Sequence, residues 1–248
     1  MGRYEGKTAV VTGGTSGIGL STAKRLIDEG VRVLVTGRSP ELLEAARAEL
    51  GDRAIALRSD AASIADIDAL AAKVKEAFGS PDLLFVNAGI AKFLPLESVT
   101  ESFYDEIMAT NARGAYFTIQ RLVPLLRPGS SIVLNTSVVD EKGLAMTSVY
   151  AASKAALRST ARTLATELLP KGIRVNAVSP GPIRTPIIAK LGLPAADLSA
   201  FEQQLRESNP MKRFGNPDEV AAAVLFLGFE ATFTTGAELP VDGGVTQL

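Results

Sequence analysis

Thr8-Ala9-Val10-Val11-Thr12-Gly13-Gly14-Thr15-Ser16-Gly17-Ile18-Gly19 reads as a short apolar strand that runs into a glycine-rich turn and out into a helix from Ile18 to Glu29. Glycines at such a junction accept positive φ and let a bound group approach the backbone. They also leave the free N–H groups and the positive dipole end of the helix aimed at that group. That is the chemistry of a phosphate cradle, and Gly13, Thr15, Ser16, Ile18 and Gly19 are its candidate contacts.

The spacing Gly13-x3-Gly17-x-Gly19 does not match the dinucleotide pattern G-x-G-x-x-G. It comes nearer to a Walker A loop, with Gly14, Gly19 and Ser21 in register, but Leu20 stands where that loop needs its Lys. Triphosphate hydrolysis therefore lacks its central charge.

Outward from this junction, strand and helix alternate. Short runs rich in Val, Ile and Leu occupy Thr8 to Thr12, Arg32 to Thr36, Ala54 to Leu57, Leu83 to Val86, Ser131 to Asn135 and Arg174 to Val178. Helical stretches lie between them at Ile18 to Glu29, Glu41 to Leu50, Ile64 to Phe78, Ser102 to Leu126 and Val149 to Leu169. Such alternation predicts right-handed crossovers and an α/β fold, a doubly wound parallel sheet of about seven strands with helices on both faces. The 248 residues fit one domain spanning 1–248. The stretch from Thr185 to Gly215 departs from the rhythm. It holds Pro186, Pro194 and Pro210 and a short amphipathic helix from Ala196 to Glu207, and reads as a substrate lid.

Which dinucleotide the cradle would take is read at the end of the second strand. Asp or Glu about 20 residues past the glycines holds a ribose diol, whereas Arg there accommodates a 2′-phosphate. No acid lies between Glu29 and Glu41, and the strand ends in Thr36-Gly37-Arg38-Ser39. The guanidinium of Arg38 and the hydroxyl of Ser39 point to NADP(H) rather than NAD(H).

Composition narrows the chemistry. The sequence has no Cys and no His, which removes disulfides, thiol nucleophiles, Ser-His-Asp triads and imidazole-bound zinc. Acid/base work falls to Asp, Glu, Lys, Tyr or water. With 26 basic and 27 acidic residues, the balance offers no basic surface for nucleic acid or an anionic membrane. The segment Met1-Gly2-Arg3-Tyr4-Glu5-Gly6-Lys7 lacks a signal-peptide core, and no apolar run suits a membrane span, so a cytoplasmic location is expected. Tyr150 and Lys154, four apart in a helix, share one face, and an ammonium beside a phenol favours phenolate. Ser137, at the end of the fifth strand, is delivered to the crevice where a parallel sheet binds ligands.

With these residues in hand, the sequence resembles the short-chain dehydrogenase/reductase family from Lys7 to Gly244. The motifs come in family order. They are the Gly13 to Gly19 loop, Asp60, Asn87-Ala88-Gly89, Asn111, Ser137, Tyr150-x3-Lys154, Pro180-Gly181 and Val241-Asp242-Gly243-Gly244. The resemblance implies that Tyr150 is the general acid/base, that Ser137 polarises the substrate carbonyl, and that Lys154 lowers the Tyr pKa and binds the nicotinamide ribose. It implies that Asn111 holds a water relaying protons from Lys154. Asp60 and Ala61 would contact adenine, Asn87 and Gly89 would line the cofactor cleft, and Ile183 and Thr185 would meet the carboxamide. One departure is Phe85-Val86-Asn87, where many members carry a second Asn before the first.

The expected reaction is hydride transfer between NADP(H) and a small alcohol or carbonyl substrate. The alternatives are a redox-sensing regulator on the same fold, or lyase- or epimerase-type chemistry. Val138, Val139, Leu144, Met146, Ile187, Ile188, Leu191, Leu193 and Phe201 suggest an apolar pocket. The resemblance also implies a homotetramer, or failing that a dimer. Small residues of the two long helices, Ala151, Ala152, Ala155, Ala156, Ala161 and Ala165 among them, suit close packing between subunits.

Overall fold

In the computed structural model, which describes residues 2–188, 191 and 195–248, seven strands form one parallel sheet. They are β1 (Thr8–Val11), β2 (Arg32–Gly37), β3 (Ala54–Arg58), β4 (Leu83–Val86), β5 (Ser131–Asn135), β6 (Arg174–Pro180) and β7 (Glu238–Val241). Their order across the sheet is β3-β2-β1-β4-β5-β6-β7. The chain steps outward from β1 to β3, then returns to place β4 on the other side of β1. Loops leaving β1 and β4 therefore diverge at the carboxyl edge and open a crevice between them. The registers Val10↔Leu34 and Val10↔Leu84 fix β1 against β2 on one side and β4 on the other.

Alternate strand residues feed two cores. Ala9, Val11, Val33, Val35, Leu83 and Phe85 pack under Ala23 and Leu26 of α1 (Gly17–Asp28), Ala46 of α2 (Pro40–Leu50) and Val220 and Val224 of α8 (Pro217–Leu225). Val10, Leu34, Leu84, Ile132 and Leu134 pack under α3 (Ile64–Phe78), α5 (Ala115–Leu122) and α6 (Ser148–Leu168), through Leu70, Ile119 and Leu157. Each of the Val, Leu, Ile and Phe side chains stabilises the fold by roughly 1.5–3 kcal/mol on burial. Val86, at the departure from the family pattern, sits in this second core.

The continuous helix expected from Ser102 to Leu126 is instead divided. It consists of α4 (Glu101–Met108), a π turn (Ala109–Gly114), α5 and a closing 3-10 turn (Val123–Leu125) containing Pro124. Tertiary contacts hold the wider turn. The side chain of Asn111 is bonded to the backbone of Ile90, and Gly114 is so close to Ala61 that a Cβ would stand 2.0 Å from its carbonyl oxygen.

Helix α8 and strand β7 were not marked by the apolar pattern. Strand β7 is short, half-buried and interrupted by Pro240. The excursion after β6 is closed at its base by a bridge between Ile183 and Gly215 and carries α7 (Ala195–Ser208), one residue longer at each end than expected. Leu193 and Pro194 lie outside the described residues. Among the described residues, no helix is long and apolar enough to cross a membrane, and no cluster of acidic side chains could hold a metal.

Candidate active site

The crevice at the β1/β4 switch point is a cleft of about 540 Å³. Of the sequence candidates, Gly13, Thr15, Ser16, Ile18, Arg38, Ser39, Asp60, Ala61, Asn87, Gly89 and Thr185 line it. Gly19 does not. It lies in the first turn of α1 against the loop, where a Cβ would stand 2.3 Å from the carbonyl oxygen of Gly13. The side chain of Ile183 also lies away from the cleft, in the core.

The cleft fits a dinucleotide on three counts. Ser16 is the N-cap of α1 without bonding its own helix, and the first turn of α1 holds no acid, so the helix's opening N–H groups are left for an anion. Gly13, at φ 64°, lies so close to Ala88 that a Cβ would come within 2.9 Å of its Cα. The cleft floor is therefore bare backbone. At the far end Arg38 is exposed and makes no ion pair among the described residues. Ser39 caps α2, accepting from the Leu42 N–H at 3.2 Å and donating to Glu41 at 2.5 Å, so its hydroxyl is already engaged.

Asp60 is likewise partly engaged. Its carboxylate accepts from the Ala62 N–H at 2.9 Å, and its own N–H donates to Asp66 at 2.8 Å, which fixes the turn that presents Ala61.

A chain of hydrogen bonds joins the glycine loop to the catalytic candidates. Asn87 donates from Nδ2 to the carbonyls of Thr12 and Gly13, at 2.9 and 3.0 Å, and its Oδ1 accepts from Asn135 Nδ2 at 2.9 Å. The carbonyl of Asn135 accepts from Lys154 Nζ at 2.7 Å. Thr12, Asn135 and Ser153 thus belong to the site, although sequence reasoning gave them no role. A polar residue closing an apolar strand, as Asn135 does, is the signal that could have found one of them. Asn111 spends its whole amide here. Oδ1 accepts from the Ile90 N–H at 2.8 Å, and Nδ2 donates to the Ile90 carbonyl at 2.9 Å and to Ser153 Oγ at 3.0 Å.

Tyr150 and Lys154 lie one turn apart on α6, with Lys154 Nζ 5.8 Å from the phenol ring centre. Burial pushes the phenol above its ordinary value, the Ser137 hydroxyl beside it works the other way, and the charge of Asp140 adds to the rise. Burial brings the Lys154 ammonium down to about 8, while Asp140 opposes that. The phenol is thus raised rather than lowered in the cofactor-free chain, and the one group that pulls it down is Ser137, not Lys154.

Around the phenol, Phe93, Ala91 and Leu191 form a small apolar cluster that includes Tyr150, Ile188, Leu198 and Phe201. Phe93 lies between Tyr150 and Phe201, with ring centres 6.0 Å from each. Leu144, Met146 and Ile187 are more than a third exposed, so only part of the expected apolar set is packed.

Comparison with known proteins places this geometry among relatives. A family model described as enoyl-(acyl carrier protein) reductase matches residues 13–246. The oxidoreductase asL5 of Sarocladium schorii is 43% identical, covering 99% of this chain and 98% of that protein. The crystal structure of a levodione reductase superposes with a TM-score of 0.90 at 32% identity, covering 98% of this chain and 99% of the other. A 3-ketoacyl-(acyl-carrier-protein) reductase from Brucella melitensis, solved with NADH, gives 0.89 at 32% identity with the same coverage.

Proposed function

The chain belongs to the short-chain dehydrogenase/reductase family, whose oxidoreductases act on CH–OH and carbonyl groups, and we propose that it moves a hydride reversibly between NADP(H) and a small alcohol or its ketone with Tyr150 as general acid/base. The observation that carries this reading is the continuous bonding from the glycine loop through Asn87 and Asn135 to Lys154, one turn from Tyr150. When bound, the nicotinamide would supply the hydride and, in its oxidised form, a positive charge.

The residues of the chain do the rest. Ser137 donates a hydrogen bond to the substrate oxygen and holds the carbonyl beside Tyr150. Tyr150 gives its Oη proton to the developing alkoxide in reduction and takes it back in oxidation. Lys154 holds the ribose and keeps the phenolate electrostatically tolerable. Because the side chain of Asn111 is fully bonded, its main chain in the π turn is left to hold the relay water. Phe93, Leu191 and Phe201 keep bulk water from the reacting carbon and favour an apolar substrate body.

NADP(H) is favoured over NAD(H) by the exposed Arg38 and by the lack of an acid at the end of β2. The engagement of Ser39 with Glu41 leaves Arg38 as the main phosphate contact. We further propose assembly into a homotetramer. Ala161 and Ala165 are used by the core, but Ala152 and Ala155 remain exposed along α6. Light scattering at the 26.0 kDa monomer mass would contradict it.

NADPH oxidation against a panel of ketones and aldehydes tests the main reading. Tyr150→Phe is expected to lose about 100-fold or more in kcat while still binding NADPH. Lys154→Met should be harsher because it removes a charge and a ribose contact together. Near wild-type turnover in Tyr150→Phe would mean that another group carries the proton.

A further inference from the structure

Tyr150, Lys154 and Arg158 recur every fourth residue on α6 and so lie along one face. The three side chains reach the end of β5 and its neighbours. Tyr150 is beside Ser137, and Lys154 bonds the carbonyl of Asn135. Arg158 Nε pairs at 3.0 Å with Glu238, the first residue of β7. The Thr136 hydroxyl, between Asn135 and Ser137, lies against both the Val178 carbonyl, at 2.8 Å, and the other oxygen of Glu238, so its one proton is shared between two acceptors. The Glu238 side chain is only 5% exposed and Arg158 19%, so this ion pair is largely withdrawn from water.

Asp140, in the turn Val138–Asp140, brings its carboxyl within hydrogen-bonding reach of Glu238. Both of its carboxylate oxygens are buried and accept from no donor among the described residues. A bare carboxylate so placed against a second one would carry an uncompensated charge costing several kcal/mol. One proton between the two removes the difficulty, since an acid can donate to a carboxylate that Thr136 and Arg158 already hold.

We propose that Asp140 and Glu238 share a single proton, and that the charge of this pair, set behind Tyr150 and Lys154, is a positioning element that decides the pH at which the couple works. This rests on the acid/base reading of Tyr150 given above. The charged and titratable groups facing Asp140 are Glu238 on β7, Glu141 on its own turn, and Tyr150, Lys154 and Arg158 on α6. Burial, then Glu238, then Glu141 push the Asp140 carboxyl up to about 7 against the pull of Arg158, and the Lys154 ammonium, which Asp140 favours, pulls the same way as Arg158. Below that pH the pair carries one negative charge, balanced by Arg158. Above it a second charge appears, whose field opposes formation of the Tyr150 phenolate and favours the Lys154 ammonium.

Two readouts test it. Asp140→Asn keeps the shape of the protonated acid and cannot ionise. The pH profile of alcohol oxidation should move to lower pH by about 0.5–1 unit, as expected for one charge removed several ångströms away. A merely structural role would lower turnover without moving the profile. Separately, difference infrared spectra of the cofactor-free protein across neutral pH should show a protonated-carboxyl band that disappears in Asp140→Asn and is lost or moves in frequency in Glu238→Gln, where the carboxylate that accepts the proton is gone. The infrared arm needs no substrate, so it decides the shared proton even if the proposed reaction fails. Should Asp140→Asn not fold, a band that is lost or moved in Glu238→Gln supports the pair and one that is unmoved overturns it. An active Asp140→Asn with an unmoved profile, or a wild-type protein without the band, overturns the proposal.

Discussion

Gly19→Ala places a single methyl where the cradle has no room for it. The added Cβ would lie 2.3 Å from the carbonyl oxygen of Gly13 and 2.6 Å from Asn87 Nδ2. The first neighbour is backbone and cannot swing away. Forcing a methyl into such a contact costs about 1–3 kcal/mol. Displacing Asn87 Nδ2 also weakens its bonds to the carbonyls of Thr12 and Gly13, each worth about 0.5–1.5 kcal/mol. Ala is a better helix former than Gly by about 1 kcal/mol, which offsets part of this. The net expectation is a loss of about 3 kcal/mol, or roughly 6–12 °C in melting temperature for a chain of this size. Because Asn87 also holds Asn135, and Asn135 holds Lys154, NADPH binding should weaken in the same variant. The assay is thermal and urea unfolding of the cofactor-free protein, with NADPH titration followed by fluorescence. Gly143→Ala is the control, since nothing lies within 4 Å of its Cβ position, and it should stay within about 0.5 kcal/mol of wild type. If the two variants are equally stable and bind NADPH equally, the steric argument for the cradle is wrong.

Two further outcomes are expected. Arg38→Ala should weaken NADPH by about 1.5–3 kcal/mol and leave NADH little changed, and equal effects on both cofactors in parallel titrations would contradict the phosphate role. Asp82, which accepts from the Thr8 N–H and from Lys7 at 3.0 Å and from Arg127 at 2.8 Å, ties the starts of β1 and β4 together. Burial raises its pKa, but Arg127, Thr8 and Lys7 outweigh burial and hold it below the usual carboxylate value. Its contribution is therefore present above the unfolded value of 3.8 and lost as pH falls through the lower folded one. Asp82→Asn should cost about 1–2 kcal/mol at neutral pH, given that both cationic partners are half exposed, and should flatten the acid limb of stability against pH in urea melts. An unchanged acid limb would remove Asp82 from that role.

The features legible in the sequence are those whose cause is local. The apolar runs mark six of the seven strands because a strand covered on both faces must be apolar along its length. The glycine loop could be read because a strand-to-helix junction has few ways to expose its N–H groups. Tyr150 and Lys154 could be paired because helical spacing alone puts them on one face. Contacts distant in sequence decided the rest. Asn111 and Gly114 sit in a π turn because Ile90 and Ala61, from other loops, press against them, and no propensity of that helix encodes it. Strand β7 exists as an edge because β6 offers it a ladder, despite Pro240. Asn87, Asn135 and Lys154 become one chain of hydrogen bonds only when β4, β5 and α6 are assembled. Asp140 and Glu238, almost a hundred residues apart, become a pair only because the Glu238 side chain, at the start of β7, reaches past β6 to the turn after β5. Local chemistry determined which groups this protein has to work with. Their proton affinities were set by burial and by neighbours that only the folded chain supplies.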